Sequence, residues 1–489
     1  MFKKCSNLFL FFFAISFAGE KYGVYDSYGS RISTFEADRH DLPEKARQIK
    51  AMYPNKNLYI SYASKGKISK PTSRYRYKAE TGAYIEASRK ETFSVCPDKE
   101  IKGTWISEYS VSLNEENCLS LQTPNLAGTI HILFLRNNGK MDTIQVLIDQ
   151  SYIQMGDYSH KIWVPDSMPS YCRKEQCTFP AYGHYESINY IQPLIVDKTK
   201  FVVGDAWHYY SAMDMRFDSN NKIVPFLDDR ELKEYPKNEK FEGSRLPYIG
   251  YPDEGWRYAN ERSKKEGLDT AYHIIAKSGY KGKDAFIILG KYYDKDNFIA
   301  VDTSSSGYKM PSDEEWIFLM RAGASTKYYW GDDEDSLTVS RYVWVRPIGL
   351  KQVALLPPNK FGLYDMAGLT HYEAVGAYNS RIFGDRHETI YQGRKFLYEG
   401  RDLYDFGIAC IGGGDQYRRT LSPECDFIQK IGSMKQIMER PSTTRICTGP
   451  SQKRECVDFD EPELQTFAAN YNSFRFLRKT PKLHKLDKF

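Results

Sequence analysis

The stretch Lys309–Gly331, KMPSDEEWIFLMRAGASTKYYWG, constrains the fold of this chain more than any other. Ser312 and Glu315 have the spacing of a capping box, in which each side chain satisfies a free backbone donor of the other residue. Trp316, Leu319 and Met320 then recur on one helical face until Gly323, a natural stop. The spacing predicts a short amphipathic helix packed on a core, ending in Tyr329-Trp330-Gly331. Taken alone, such a helix has no role beyond packing.

The beginning of the chain reads as an export signal. Lys3 and Lys4 precede an apolar run from Leu8 to Phe17, and Ser16-Phe17-Ala18 places small residues where a signal peptidase reads. A normal transmembrane helix needs roughly 20 apolar residues, and this run is shorter. Cys5 lies before the apolar core, not at the cleavage point, so a lipid-bearing cysteine is not expected there. The expectation is a cleaved signal over 1–18, no integral span afterwards, and a secreted, periplasmic or cell-surface-associated product.

Loss of Lys3 and Lys4 takes the formal charge from +5 to +3, near neutral for a product this long. This balance calls for no nucleic-acid or membrane partner. The mature product keeps Cys96, Cys118, Cys172, Cys177, Cys410, Cys425, Cys447 and Cys456. An even number in an exported chain suits disulfides, and the sequential pairs 96–118, 172–177, 410–425 and 447–456 would close short loops. About a hundred connectivities are open to eight cysteines. No tight CxxC or nearby pair of histidines supports a metal-thiolate cluster.

The length predicts more than one domain, and the texture changes near residue 190. From about 70 to 160 the runs are short and beta-prone, including Trp105–Leu113 and Thr129–Leu135. Asn137-Asn138-Gly139 then offers a turn, and Asp142–Gln150 resumes an alternating strand, which predicts a hairpin. These features describe a small, sandwich-like beta-rich module over 19–185, with a Pro- and Cys-rich connection over 165–180.

Further on, the chain becomes aromatic and finely punctuated, without heptads or internal repeats. Asp205–Met213 predicts a short helix with Trp207, Tyr210 and Ser211 on one face. Asp253 can cap a second, running through Trp256, Ala259 and Asn260 to Gly267. Most of the remainder reads as loops and short strands.

Several of these segments together resemble the formylglycine-generating enzyme family, also called the sulfatase-modifying-factor domain, whose architecture is related to C-type lectins. VDKTKFVVG (196–204) is similar to the family's opening strand and following helix, and DEGWRYANERSKKEGLDTAY (253–272) to its tryptophan-bearing helix. Met310–Gly331 and PNKFGLYDMAG (358–368) follow in the expected order. YNSFRFLR (471–478) resembles the closing strand, with Ser473 where the family usually has glycine. The likeness spans 188–480, leaving 481–489 as a solvent-exposed tail. It implies an α+β fold: an irregular C-type-lectin-like, formylglycine-generating-enzyme domain behind an N-terminal beta-rich domain.

The resemblance also implies chemistry, and here the chain departs from it. After the glycine matching Gly368, the family continues with an asparagine and then tryptophan, glutamate and tryptophan, part of a calcium-coordinating loop. This chain has Leu369, then His371, Tyr372 and Glu373. A hard cation needs several oxygen ligands, and the amide oxygen is gone at Leu369, although Glu373 could supply another. The family's copper chemistry uses two cysteines five positions apart after an arginine-glycine-glycine-serine segment. The nearest counterpart is Ile411–Asp415, IGGGD, with no such cysteine pair after it. Copper is therefore not expected, and inherited catalysis is not supported.

Other constellations are weaker. His387 and Glu388 are adjacent but need not share a pocket. Gly412-Gly413-Gly414 lacks the strand-to-helix context of a dinucleotide site. Asp332, Asp333 and Asp335 form an acidic turn open to calcium but without the EF-hand pattern. Lys479, Lys482, Lys485 and Lys488 are too scattered around Pro481 to indicate nucleic-acid recognition.

The leading expectation is an exported, noncatalytic binding or cell-envelope accessory protein whose partners are envelope proteins or glycans. Its candidate contacts are Tyr328, Tyr329, Trp330, His371 and Tyr372. A diverged oxidoreductase or formylglycine generator acting on a protein cysteine is the alternative, and a purely structural envelope protein is another.

Overall fold

The computed structural model describes residues 20–26, 28, 30–54, 56, 58–62, 70–78, 82–109, 111–114, 116–154, 160–165, 183–188, 193–209, 216–217, 223–224, 242–249, 252–276, 285–288, 297–302, 305–311, 313–324, 329–331, 336–343, 351–366, 369, 372–373, 444–448, 455–459 and 472–489. The expected signal, the 165–180 connection past Pro165, the Ile411–Asp415 glycines and the His387-Glu388 pair lie outside them.

The first elements are β1 (Glu20–Asp26), β2 (Arg31–Ala37), α1 (Leu42–Met52), β3 (Leu58–Tyr62), β4 (Ser73–Tyr77), β5 (Ala83–Ala87) and β6 (Thr92–Pro97). They are followed by β7 (Gly103–Ser107), β8 (Val111–Leu113), β9 (Leu119–Gln122), β10 (Gly128–Arg136), β11 (Met141–Ile148) and β12 (Gln150–Ile153). Next come β13 (His160–Pro165), β14 (Gly183–Ile188), β15 (Leu194–Asp197), α2 (Val203–Tyr209), β16 (Arg216–Phe217), β17 (Ile223–Val224) and α3 (Pro252–Lys265). Three strands, β18 (Tyr272–Ala276), β19 (Ala285–Ile288) and β20 (Asn297–Asp302), precede α4 (Asp313–Arg321) and α5 (Ser336–Ser340). The chain closes with β21 (Tyr372–Glu373), β22 (Thr444–Thr448), β23 (Glu455–Phe459), β24 (Asn472–Ser473), β25 (Leu477–Lys479), β26 (His484–Lys485) and β27 (Asp487–Lys488). Many short strands and few helices make an α+β fold.

Residues 20–148, joined by β26 and β27 from the end of the chain, build two sheets, ordered β2-β1-β3-β7-β10-β11-β5-β26 and β27-β4-β6-β9-β8. One apolar cluster joins them: Tyr75, Tyr77, Phe93 and Val95 from the second sheet pack with Trp105, Ile132, Phe134 and Val146 from the first. Leu42, Ala46 and Ile49 of α1 cover the opposite face of the first sheet against Val24, Ile60 and Ile106. Central strands buried on both faces need not alternate, and β7 is buried at every position. The hairpin forms as the turn residues predict: β10 and β11 pair antiparallel, and Gly139 takes φ +83°, where glycine carries no Cβ penalty.

The chain is not divided cleanly near residue 188. β15 pairs with β12 on one side and β25 on the other, so a three-stranded sheet draws its strands from 150–153, 194–197 and 477–479. Residues 481–489 are likewise no free tail: β26 adds to the edge of β5 and β27 to the edge of β4. Leu483 and Leu486 are buried beneath this strap, while the lysines between and around them stay exposed. Their burial supplies the reason, since apolar side chains on an otherwise polar segment favour a covered edge.

Among the described residues, no helix is long and apolar enough to cross a membrane.

Candidate functional site

The helix expected in Lys309–Gly331 is α4, with Trp316, Leu319 and Met320 buried and Gly323 at φ +77°. At its start, Glu315 of the expected capping box has an ionic partner. Both oxygens of Glu315 meet the Lys309 ammonium, at 2.8 and 3.0 Å, and both residues are buried. Ser312 lies outside the described residues. Burial pushes the Lys309 amine down, and the facing Glu315 carboxylate opposes that shift. The Lys309 backbone exchanges hydrogen bonds with Leu477, fixing the segment to the closing strand.

The PNKFGLYDMAG segment completes this corner. Asn359 Nδ2 donates to the Leu319 and Met320 carbonyls at 2.6 and 3.1 Å, answering acceptors that the end of α4 leaves open. Its Oδ1 accepts from the Phe361 and Leu363 amides, which closes the turn. Arg475, wholly buried in the closing segment, donates to the Asp197 and Tyr364 carbonyls. Thus four separated stretches converge on one framework.

The second helix, α3, buries Trp256 and Ala259, and Asn260 exchanges two hydrogen bonds with the Tyr272 backbone. Its first residue is Pro252, whose missing amide costs nothing at that position; the Asp253 side chain lies outside the described residues. Arg262 donates to both Asp197 oxygens and to Glu266, beneath the Tyr308 ring. The helix expected over 205–213 is described as Val203–Tyr209, starting two residues earlier, with 210–213 outside the described residues. Val203, Ala206 and Tyr209 form its buried side, while Trp207 is half-buried.

At Leu369 the backbone keeps φ +69°, the left-handed conformation that asparagine tolerates better than leucine. The leucine is buried with Val202 and Val353, filling the position with hydrocarbon. In the same turn, Asp365 accepts from the Ala354 amide at 2.7 Å. Leu369 supplies no side-chain oxygen to this turn, and residues 370 and 371 that follow it lie outside the described residues. Asp332, Asp333 and Asp335 lie outside the described residues, and Glu373 enters only as backbone. The one described cluster with metal-ligand atoms in reach is Cys96, Glu116 and Cys118, and its two cysteines are joined as a disulfide.

Of the candidate contacts, Tyr329 and Trp330 come together with Tyr342, which the sequence reading missed. Trp330 and Tyr342 lie nearly parallel at 5.7 Å, and Tyr329 meets Trp330 edge-on at 4.8 Å. Tyr329 donates its hydroxyl to the Tyr342 carbonyl at 3.1 Å. Burial, reinforced by the Asp365 charge, drives its phenol well above the ordinary range. All three residues are half-buried. The five-residue α5 brings Tyr342 back, and a helix so short leaves almost no periodic signal. Tyr328 and His371 lie outside the described residues. Tyr372 is placed only by β21, which pairs in parallel with β24.

Cys96 and Cys118 form a disulfide as paired in the sequence. Cys447 and Cys456 stand opposite each other in the β22–β23 register. Cys172, Cys177, Cys410 and Cys425 lie outside the described residues.

A cleft of about 570 Å³ separates β10 from α2 and α3. Its charges are engaged within the protein: Arg39 pairs with Glu108 at 2.5 Å, and Glu266 accepts from Tyr308 and Arg262. Burial lifts the Glu108 carboxyl despite that pair. Among the described residues that line it, none forms a nucleophile–base arrangement, and the cleft reads as a polar junction.

Residues 252–397 match the family model of the sulfatase-modifying factor enzyme 1-like domain. Over this stretch the chain is similar to that domain, and the match lies within the broader range suggested by its motifs. A search of the curated proteins found no match. Two solved structures are similar at low level. Treponema denticola variable protein 1 is 13% identical with a TM-score of 0.31, covering 68% of this chain and 99% of that one. CarF is 14% identical with a TM-score of 0.34, covering 68% and 98%. At such TM-scores neither likeness bears on fold or activity.

Proposed function

We propose that this chain is an exported, noncatalytic binding or cell-envelope accessory protein that uses a formylglycine-enzyme-like, C-type-lectin-like domain as a display scaffold behind a beta-rich N-terminal module. The observation that carries the reading is the Tyr329, Trp330 and Tyr342 group. It offers aromatic area already held in place, so little side-chain freedom is lost on contact. The partner is an envelope protein or glycan. The buried Leu369 supports the same reading, because it removes an oxygen ligand from the turn that serves calcium in the family. Four disulfides complete the scaffold; the Cys96–Cys118 bond and the facing Cys447 and Cys456 support that count.

The test uses the mature protein purified under oxidising conditions. Thiols are counted, bound metals measured, and a cysteine-containing peptide assayed for copper-dependent oxidation. Neutral oligosaccharides and extended envelope-protein peptides are titrated against tryptophan fluorescence in wild type and Trp330→Ala. The expected result is no free thiol, no turnover, and binding that Trp330→Ala removes. Peptide oxidation with a reactive thiol pair would instead establish a diverged oxidoreductase.

A further inference from the structure

A second feature lies apart from the aromatic group, where the C-terminal strap crosses the N-terminal sheets. The strap is held by its backbone: Leu483 donates to the Tyr152 hydroxyl at 2.9 Å, His484 to the Gly82 carbonyl at 2.8 Å, and Leu486 to the Tyr84 carbonyl at 3.0 Å. With Leu483 and Leu486 turned inward, Lys482 and Lys485 stand outward. They face Arg76 and Lys78, which flank the end of β4, across a groove of about 520 Å³. Residues that look scattered along the chain thus become the two walls of one basic groove.

Among the described residues the four cations meet three carboxylates, Asp487, Glu86 and Asp98. Asp487 pairs with Lys78 at 2.6 Å, and that ammonium holds its carboxyl below the usual range. Glu86 lies 3.6 Å from Lys485 and is shared with Lys198. Asp98 reaches Arg76 only at 3.8 Å, with both side chains about half exposed. Lys482 has no ion pair among the described residues. Like charges gathered around one concavity raise its potential and favour an anion that enters it.

The groove also suits more than a bare ion. It is far larger than a single oxyanion needs, and the partly exposed Tyr152 and exposed Gln154 line it with a ring and an amide. Ring faces and amides complement a sugar's C–H and hydroxyl groups. We propose that this groove binds an anionic saccharide of about disaccharide size, with carboxylate or sulfate groups set between Arg76 and Lys78 on one side and Lys482 and Lys485 on the other. Because the cations are exposed, binding is weakened by salt.

The test is calorimetric titration of the full chain with a uronate-containing disaccharide, a sulfated disaccharide, an uncharged disaccharide and inorganic phosphate, at low and physiological ionic strength. At least one charged disaccharide is expected to bind, more weakly at higher salt, with the uncharged sugar and phosphate at least tenfold weaker. Lys482→Ala combined with Lys485→Ala should lower affinity at least tenfold at unchanged Tm. Trp330→Ala should leave this binding intact, so this site and the aromatic one can fail separately. The proposal is overturned if neither charged disaccharide binds, if phosphate binds equally well, or if the double variant binds like wild type.

Discussion

Asn359 fastens the end of α4 by donating to the Leu319 carbonyl at 2.6 Å, across 40 residues of chain. Its amide also serves Met320, Phe361 and Leu363, so one buried side chain closes both a helix end and a turn.

Asn359→Ala therefore strands several buried donors and acceptors at once. Each unsatisfied group costs about 1–3 kcal/mol, and a total loss of about 3 kcal/mol is expected in urea unfolding. A loss within error of zero would show that water replaces the amide.

The Arg262 guanidinium grips both Asp197 oxygens at 2.7 and 2.9 Å with both residues buried. Removing Asp197 leaves the buried guanidinium only its longer 3.2 Å contact with Glu266, a loss at the lower end of the about 3–5 kcal/mol that breaking a buried pair costs. Asp197→Ala should lose that much by chemical denaturation. Replacing both residues with apolar ones of similar volume should cost less than the single change.

His131 sits beside Arg39, whose Nη2 is 3.4 Å from its Nδ1. Burial pushes the imidazole down to about 3, and the Arg39 and Arg478 charges push the same way. Between pH 6.5 and about 3 the unfolded chain takes up a proton that the folded chain refuses. Stability should therefore fall as pH drops through this window and level off below it, as far as this group contributes. Unfolding free energies measured at pH 7, 5 and 4 should show a shallower decline for His131→Gln than for wild type.

The Cys96–Cys118 disulfide closes a separation of 22 residues between β6 and the start of β9. Constraining the unfolded chain over such a loop is worth about 3 kcal/mol. Cys96→Ala with Cys118→Ala should lower Tm, and a reducing agent should affect wild type but not this variant at these positions.

Much of the framework was legible in local patterns. Trp316, Leu319 and Met320 show the buried stripe of α4 through helical periodicity, and Asn137-Asn138-Gly139 shows the hairpin because a two-stranded turn needs positive φ. The ordered segments of the family domain were also recognisable. The helix expected from Asp205 begins two residues earlier, because packing buries Val203 together with Ala206 and Tyr209 while Trp207 stays half-buried. Glu315 fits a capping pattern in sequence, and only the fold shows that its carboxylate also meets the buried Lys309 ammonium.

By itself the sequence determined the segments that recur in one domain family, the helix stripe and the hairpin, because periodicity and turn chemistry act over a few residues. Only the tertiary structure decided that Tyr342 joins Tyr329 and Trp330, that Leu369 fills its turn with hydrocarbon, and that the lysines after Thr480 face Arg76 and Lys78. Those relations depend on contacts across tens to hundreds of residues. No local pattern records them, because their energy arises only when the strap covers the sheet edges and the distant charges and rings share one space.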